Sequence, residues 1–226
     1  MNLTKMMHAM GAGLGLISVV ACASLPPPRV IHRDPMTAIE LRADSQAGNG
    51  HSHPATVTST QMRAVLSGIR VQRRGDPIFS LVTGEAEVGP AFSSTEVEAL
   101  APRLSQAFSM ASPQEIVTFY RRYSDTNVGL AVTSGGLFVR DHYLYLILAN
   151  HRNRPSDAMG HSQAMVHEID PVDDPLLSIK PRSYAVSFSP DIAVEPNPSW
   201  PWEYMDSGKT VVVDLEWLNH KPKAGH

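Results

Sequence analysis

The sequence predicts an α+β fold: a helical hairpin packed on a mainly antiparallel sheet, behind a disordered N-terminal tether. Three observations carry this. Helix-period apolar stripes with capping signals fall between residues 57 and 123, β-branched and aromatic runs broken by turn residues follow from residue 128, and the two kinds of element come in blocks instead of alternating. With 226 residues, 42% apolar and 18% charged, the chain is long enough to bury one core.

The first element is a leader. Lys5 is followed by thirteen uncharged residues from Ala9 to Ala21, the layout of a signal peptide and too short a run to span a bilayer, which takes about 20 apolar residues. The run ends Val19-Val20-Ala21-Cys22, and this resembles the lipobox of bacterial lipoproteins. The resemblance covers residues 1–22. It implies cleavage after residue 21, a diacylglyceryl group on the Cys22 sulfur and a further acyl chain on its new amine; two or more chains make a stable anchor. Ala23, where an acidic residue would favour the inner membrane, implies the outer membrane with the protein facing the periplasm. Cys22 is the chain's single cysteine, so no intrachain disulfide exists and no stray thiol meets an oxidising compartment.

Residues 22–56 read as the tether. The stretch ASLPPPRV favours an extended spacer, and RADSQAGNGHSHPA is small and polar without an apolar period. Met36, Ile39 and Leu41 allow a short docked segment between them. A single α+β domain is expected over 57–218, with a flexible tail at 219–226.

Met62, Val65, Leu66 and Ile69 have the spacing of one helix face, with Thr58 or Ser59 as N-cap and Gly68 closing the helix. Residues 76–84 read as a short extended piece. Ser93 and Glu96 form a capping box ahead of Val97, Leu100, Leu104, Ala107 and Phe108, a helix that Pro102 is expected to kink. Ser112-Pro113-Gln114-Glu115 reads as a second capping box opening a helix with Ile116, Val117 and Tyr120 on its buried side, the other arm of the hairpin.

A three-strand meander is expected at 128–133, 137–140 and 143–149, with turns at Ser134-Gly135-Gly136 and Arg140-Asp141-His142. The last of these strands, LYLILA, is apolar on both faces and reads as the covered centre of the sheet. Further strands are expected at 164–169, 183–189 and 209–218.

Histidine, ten in all, is the first residue type to weigh for chemistry. His161 and His167, with Met159 and Met165, offer imidazole and thioether donors that suit copper, at a spacing that matches no zinc motif. His51 and His53 lie in the Gly-rich stretch. Ser134 precedes two glycines but lacks the glycine of a nucleophile elbow before it, and a turn explains it more simply. The carboxylates of Glu85, Glu87, Glu98, Asp173 and Asp174 read as solvated, and Glu96 as a cap. Trp200, Trp202, Tyr204 and Met205 crowd a proline-rich loop, the residue types enriched at interfaces; the other reading is that they cap the core.

Only Lys5 of the 19 basic residues and none of the 22 acidic ones precede Cys22, so the mature chain carries 18 against 22, a net −4. That balance argues against nucleic acid as a partner. The expectation is a lipid-anchored envelope protein with a non-catalytic, periplasm-facing binding or assembly module and an envelope protein partner. It carries no cofactor beyond the lipid on Cys22. The alternatives are an envelope-polymer hydrolase and a copper-binding protein.

Overall fold

The computed structural model describes residues 25–73, 88–125, 129–154, 171–180, 183–194 and 208–220. With the strands numbered along the chain as β1 (Arg29–Arg33), β2 (Thr37–Ala43), β3 (Ile69–Arg73), β4 (Val88–Pro90), β5 (Glu115–Asp125), β6 (Gly129–Arg140), β7 (Tyr143–Asn153), β8 (Tyr184–Phe188) and β9 (Thr210–Asp214), a six-stranded antiparallel sheet takes the order β1-β2-β5-β6-β7-β9, and a three-stranded one the order β4-β3-β8. Among the described residues no helix is long and apolar enough to cross a membrane.

The expected tether gives way at Arg29. Strands β1 (Arg29–Arg33) and β2 (Thr37–Ala43) form an antiparallel hairpin, and β2 pairs along its length with β5 (Glu115–Asp125). Ile39 and Leu41 of β2 enter the main core, while Ala38 and Glu40 point to the other face, where both are buried as well. Glu40 is why the strand is hard to see in the sequence: its carboxylate breaks the apolar pattern. It is paired with Arg33 Nη2 and with Arg42, whose Nη2 donates to Glu40 Oε2 at 2.7 Å. Residues 44–57 are also docked, with Asp44 N, His51 N and Ser52 N donating to the carbonyls of Gln114, Pro113 and Val139.

Helix α1 (Ser59–Gly68) starts at the Thr58 cap, with Gln61 completing a capping box, and ends at Gly68, where an added Cβ would lie 2.3 Å from Cε2 of Phe188. The chain leaves it directly as β3 (Ile69–Arg73), which pairs with β4 (Val88–Pro90) and β8 (Tyr184–Phe188). Helix α2 (Ser94–Met110) has the expected Ser93–Glu96 capping box and continues through Pro102. Met62, Val65 and Leu66 of α1 and Leu100, Leu104 and Phe108 of α2 share one buried cluster with Ile39, Val117, Phe119, Leu137 and Leu146 of the sheet.

The two helices pack on each other, so the helical pair is α1 with α2. The hairpin expected from α2 and a helix after Ser112 is not formed. Residues 115–125 are strand β5, paired on both sides. The apparent capping box holds a turn instead: Ser112 N donates to Glu115 Oε2 at 2.8 Å, and Glu115 N to Ser112 O at 3.0 Å. Five successive β-branched or aromatic residues, Ile116 to Tyr120, follow it, and two neighbouring strands outweigh a cap.

The meander is present with different bounds, as β5, β6 (Gly129–Arg140) and β7 (Tyr143–Asn153). The turn at 141–142 forms, with Asp141 at φ 56°. Ser134-Gly135-Gly136 is no turn; it lies inside β6, where the pairing with β7 shifts register. At Gly135 a Cβ would sit 2.0 Å from the carbonyl oxygen of Ile147, so glycine is what lets the two backbones approach. Strand β7 is covered on both faces, but stands one in from the sheet edge rather than at the centre.

Strand β9 (Thr210–Asp214) stops short of the expected range, because Asp214 Oδ1 accepts from Glu216 N and Trp217 N and starts the short helix α3 (Leu215–His220). The second sheet face is covered by residues 171–180. Asn150 pins that segment: its Nδ2 donates to Leu177 O at 2.7 Å, and its Oδ1 accepts from Ile179 N at 2.8 Å. The strands expected at 76–84 and 164–169 lie outside the described residues.

Candidate functional site

The lipidation, aromatic-loop and copper candidates lie outside the described residues: Cys22, the Trp200, Trp202, Tyr204 and Met205 loop, and the His161, His167, Met159 and Met165 set. What the structure brings together is a different group of residues, at the end of the large sheet where β1 turns into β2.

Asp34 builds that turn. Its Oδ1 accepts from Met36 N and its Oδ2 from His32 Nε2, both at 2.8 Å, and the His32 bond, followed by the Met36 bond, holds its carboxyl below the usual range. The turn sets Arg33 at the mouth of a cleft of about 140 Å³ with Thr37, Tyr120, Arg122 and Val172 among its walls. Arg122 Nε donates to the buried Tyr120 Oη at 3.2 Å, and Arg122 N to Met36 O at 2.8 Å, so the floor is tied to the turn.

Adjacent residues of a strand face opposite sides, so β5 sends Arg122 to this cleft and Arg121 to the helix-covered face. There Arg121 meets Glu96, at the third position of α2, and Arg152, near the end of β7. Arg152 Nη2 donates to Glu96 Oε2 at 3.3 Å, and Ser93 N to the same oxygen at 2.6 Å. Arg121 Nε stands 3.7 Å from Glu96 Oε1.

Both guanidinium groups lie over the Tyr123 ring, at 5.7 and 4.9 Å from its centroid. Burial pushes the Glu96 carboxyl up, but Tyr123, the Ser93 cap and Arg152 outweigh it and hold the group below its ordinary value; burial and the facing carboxylate push the Tyr123 phenol up. Among the described residues no group stands within ideal hydrogen-bonding geometry of Glu96 Oε1, Arg121 Nε or Tyr123 Oη, all of them buried. Arg152 itself has φ 49°, and its N–H donates to Thr133 Oγ1 at 3.1 Å.

Beside them His151 is driven down to about 4 by burial, so the ring is neutral at pH 7 and donates from Nε2 to Ala91 O at 3.1 Å. Four guanidinium groups, those of Arg33, Arg121, Arg122 and Arg152, thus gather at one end of a chain whose net charge is negative. The acids among them are Asp34, which builds the turn, Glu40, paired with Arg33, and Glu96, which caps α2 and faces Arg121 and Arg152. Guanidinium forks match carboxylate and phosphate geometry, so the arrangement suits an acidic group.

His51 and His53 lie at the opposite end and are buried, not flexible. His51 Nε2 donates to Asp44 Oδ2 at 2.7 Å, and its ring stacks on Phe138 with centroids 4.1 Å apart. His53 Nε2 accepts from Val139 N at 3.1 Å, and burial, then the neighbouring His51, lowers it to about 4. Among the described residues no three His, Cys, Asp or Glu side chains are placed to hold a metal. Ser134 is inside the sheet, donating to Pro175 O at 2.8 Å and accepting from Asn150 Nδ2 at 2.9 Å, which leaves its hydroxyl a structural role.

The arginine end was legible only indirectly. The doublet Arg121-Arg122 in an alternating strand puts one charge on each face, a signal that the helical reading of this stretch concealed. No protein-family model matches the chain, and no curated protein or solved structure matches it significantly.

Proposed function

We propose that the chain is a lipid-anchored envelope protein, held through acylated Cys22 in the outer membrane and facing the periplasm. Its α+β domain is a non-catalytic binding or assembly module. The supporting observation is the placing of four guanidinium groups at one end of the large sheet, Arg33 and Arg122 lining a small cleft on one face and Arg121 and Arg152 beside Glu96 on the other. The partner that fits is an envelope protein presenting an acidic surface.

The test is crosslinking in native cells, with purification of the full-length protein and mass spectrometry of what accompanies it. An Arg33→Glu/Arg122→Glu double variant is expected to lose the stoichiometric partner of the wild type while keeping its membrane fraction and circular dichroism. Because Arg33 also pairs with buried Glu40, Arg122→Glu alone is run beside it. Unchanged recovery of the same partner by both variants overturns the reading of this end. The anchor is tested separately: Cys22→Ser is expected to abolish acylation and release the protein, and an unchanged membrane fraction overturns the lipoprotein reading.

A further inference from the structure

We infer that the end of the sheet opposite the arginines lies against the bilayer, its occupant being the phospholipid headgroup layer that holds the anchor. The inference rests on the lipid reading of Cys22 and adds an orientation to it.

Strand β1 begins at Arg29, leaving six residues, three of them proline, between it and Cys22. At about 3.3–3.6 Å per extended residue, Arg29 stands no more than roughly 25 Å from the acylated sulfur, and about 22 Å if the spacer is polyproline-like. A tether running to residue 56 would have left the orientation open; this spacer does not. Arg29 marks one end of the sheet, because its guanidinium donates to the carbonyl of Met110, the last residue of α2, at 2.9 Å. It also grips Glu115, the first residue of β5, at 2.8 and 2.6 Å.

Among the described residues the most exposed large apolar side chains at this end are Leu25 at 65%, Val30 at 53% and Met110 at 47%, against Met36 at 39% and Leu130 at 37% at the arginine end. Leu25 is three residues from the proposed anchor, Val30 adjoins Arg29, and Met110 is held by it. Single exposed apolar residues are ordinary, but these three share the neighbourhood of a lipid. Arg29 has a half-exposed side chain whose partner Glu115 leaves that pair neutral. With this end down, the cleft beside Arg33 and Thr37, at the far end of the hairpin, faces away from the membrane.

Since the one native thiol is the acylated one, single introduced cysteines report position cleanly. Val30→Cys, Met110→Cys and, as the far-end reference, Met36→Cys are made in the full-length protein and acylated in cells. Each is labelled with nitrobenzoxadiazole and reconstituted in phosphatidylethanolamine and phosphatidylglycerol vesicles carrying doxyl-labelled chains. Labels at 30 and 110 are expected to be quenched several-fold more than the label at 36. Equal quenching at all three sites, on protein that floats with the vesicles and carries lipid by mass, overturns the docking and leaves the anchor standing. Protein that neither floats nor carries lipid overturns both. A second measurement needs no label: amide exchange at residues 25–31 is expected to slow on vesicles relative to soluble Cys22→Ser protein, and unchanged exchange overturns the docking.

Discussion

Asp44 Oδ2 and His51 Nε2 meet at 2.7 Å with at most 1% of either side chain exposed, a hydrogen-bonded pair sealed inside the connection between β2 and α1. It fixes a polar stretch that has little apolar surface of its own. Removing His51 takes from the buried Asp44 the donor on its Oδ2, while Gln46 N stays on its Oδ1. His51→Ala is therefore expected to cost about 3 kcal/mol, read as a lower urea midpoint with an unchanged slope.

The pH dependence follows from His53 and His151, both lowered from 6.5 to about 4 in the folded protein. Between those values the unfolded chain binds protons that the folded one refuses, so stability rises with pH there. It is fully present above pH 6.5 and is lost as the pH falls towards 4, at up to about 1.4 kcal/mol per pH unit for each group. Glu115, held at about 2 chiefly by Arg29, adds a loss below its ordinary 4.5. Urea titrations from pH 7 to 4 are expected to show this slope, and His151→Gln to reduce it.

Gly135→Ala places a methyl group against a backbone carbonyl rather than a movable side chain. The expected cost is at the upper end of the overpacking range, about 3 kcal/mol or more, with β6 and β7 forced apart. Gly89→Ala, with nothing within 4 Å of the added carbon, is the control expected to change little.

Asn150→Ala removes four hydrogen bonds, to Ser134, Leu177, Ile179 and Asn153. Each is worth about 1 kcal/mol net, so a loss of about 2–4 kcal/mol is expected. Hydrogen exchange should show it locally, as faster exchange at Ile179 and Leu177 before any change in α1 or α2.

The helices α1 and α2 were readable because cap and stripe agree: Thr58 or Ser59, and Ser93 with Glu96, stand directly before apolar residues at helical spacing. The same signal misled at Ser112 because a cap motif is satisfied equally by a turn, as Glu115 shows by bonding Ser112 N and Arg29 together. Strands β1 and β2 were missed because Glu40 and Arg42 occupy inward or partly inward positions, and their burial depends on partners that no local window contains. The Glu96 site was half visible. Its cap was local, whereas Arg121, Tyr123 and Arg152 reach it only through the register of three strands.

That register has a kinetic side. Strand β2 finds its neighbour β5 across a long separation, with Ala43 opposite Glu115. The entropy of closing so large a loop must be met before the pairing rewards it, so this pairing is expected to be slow. Until it happens the β1–β2 hairpin and β5 each present an open strand edge, the form of unfinished protein that most readily adds to its neighbours.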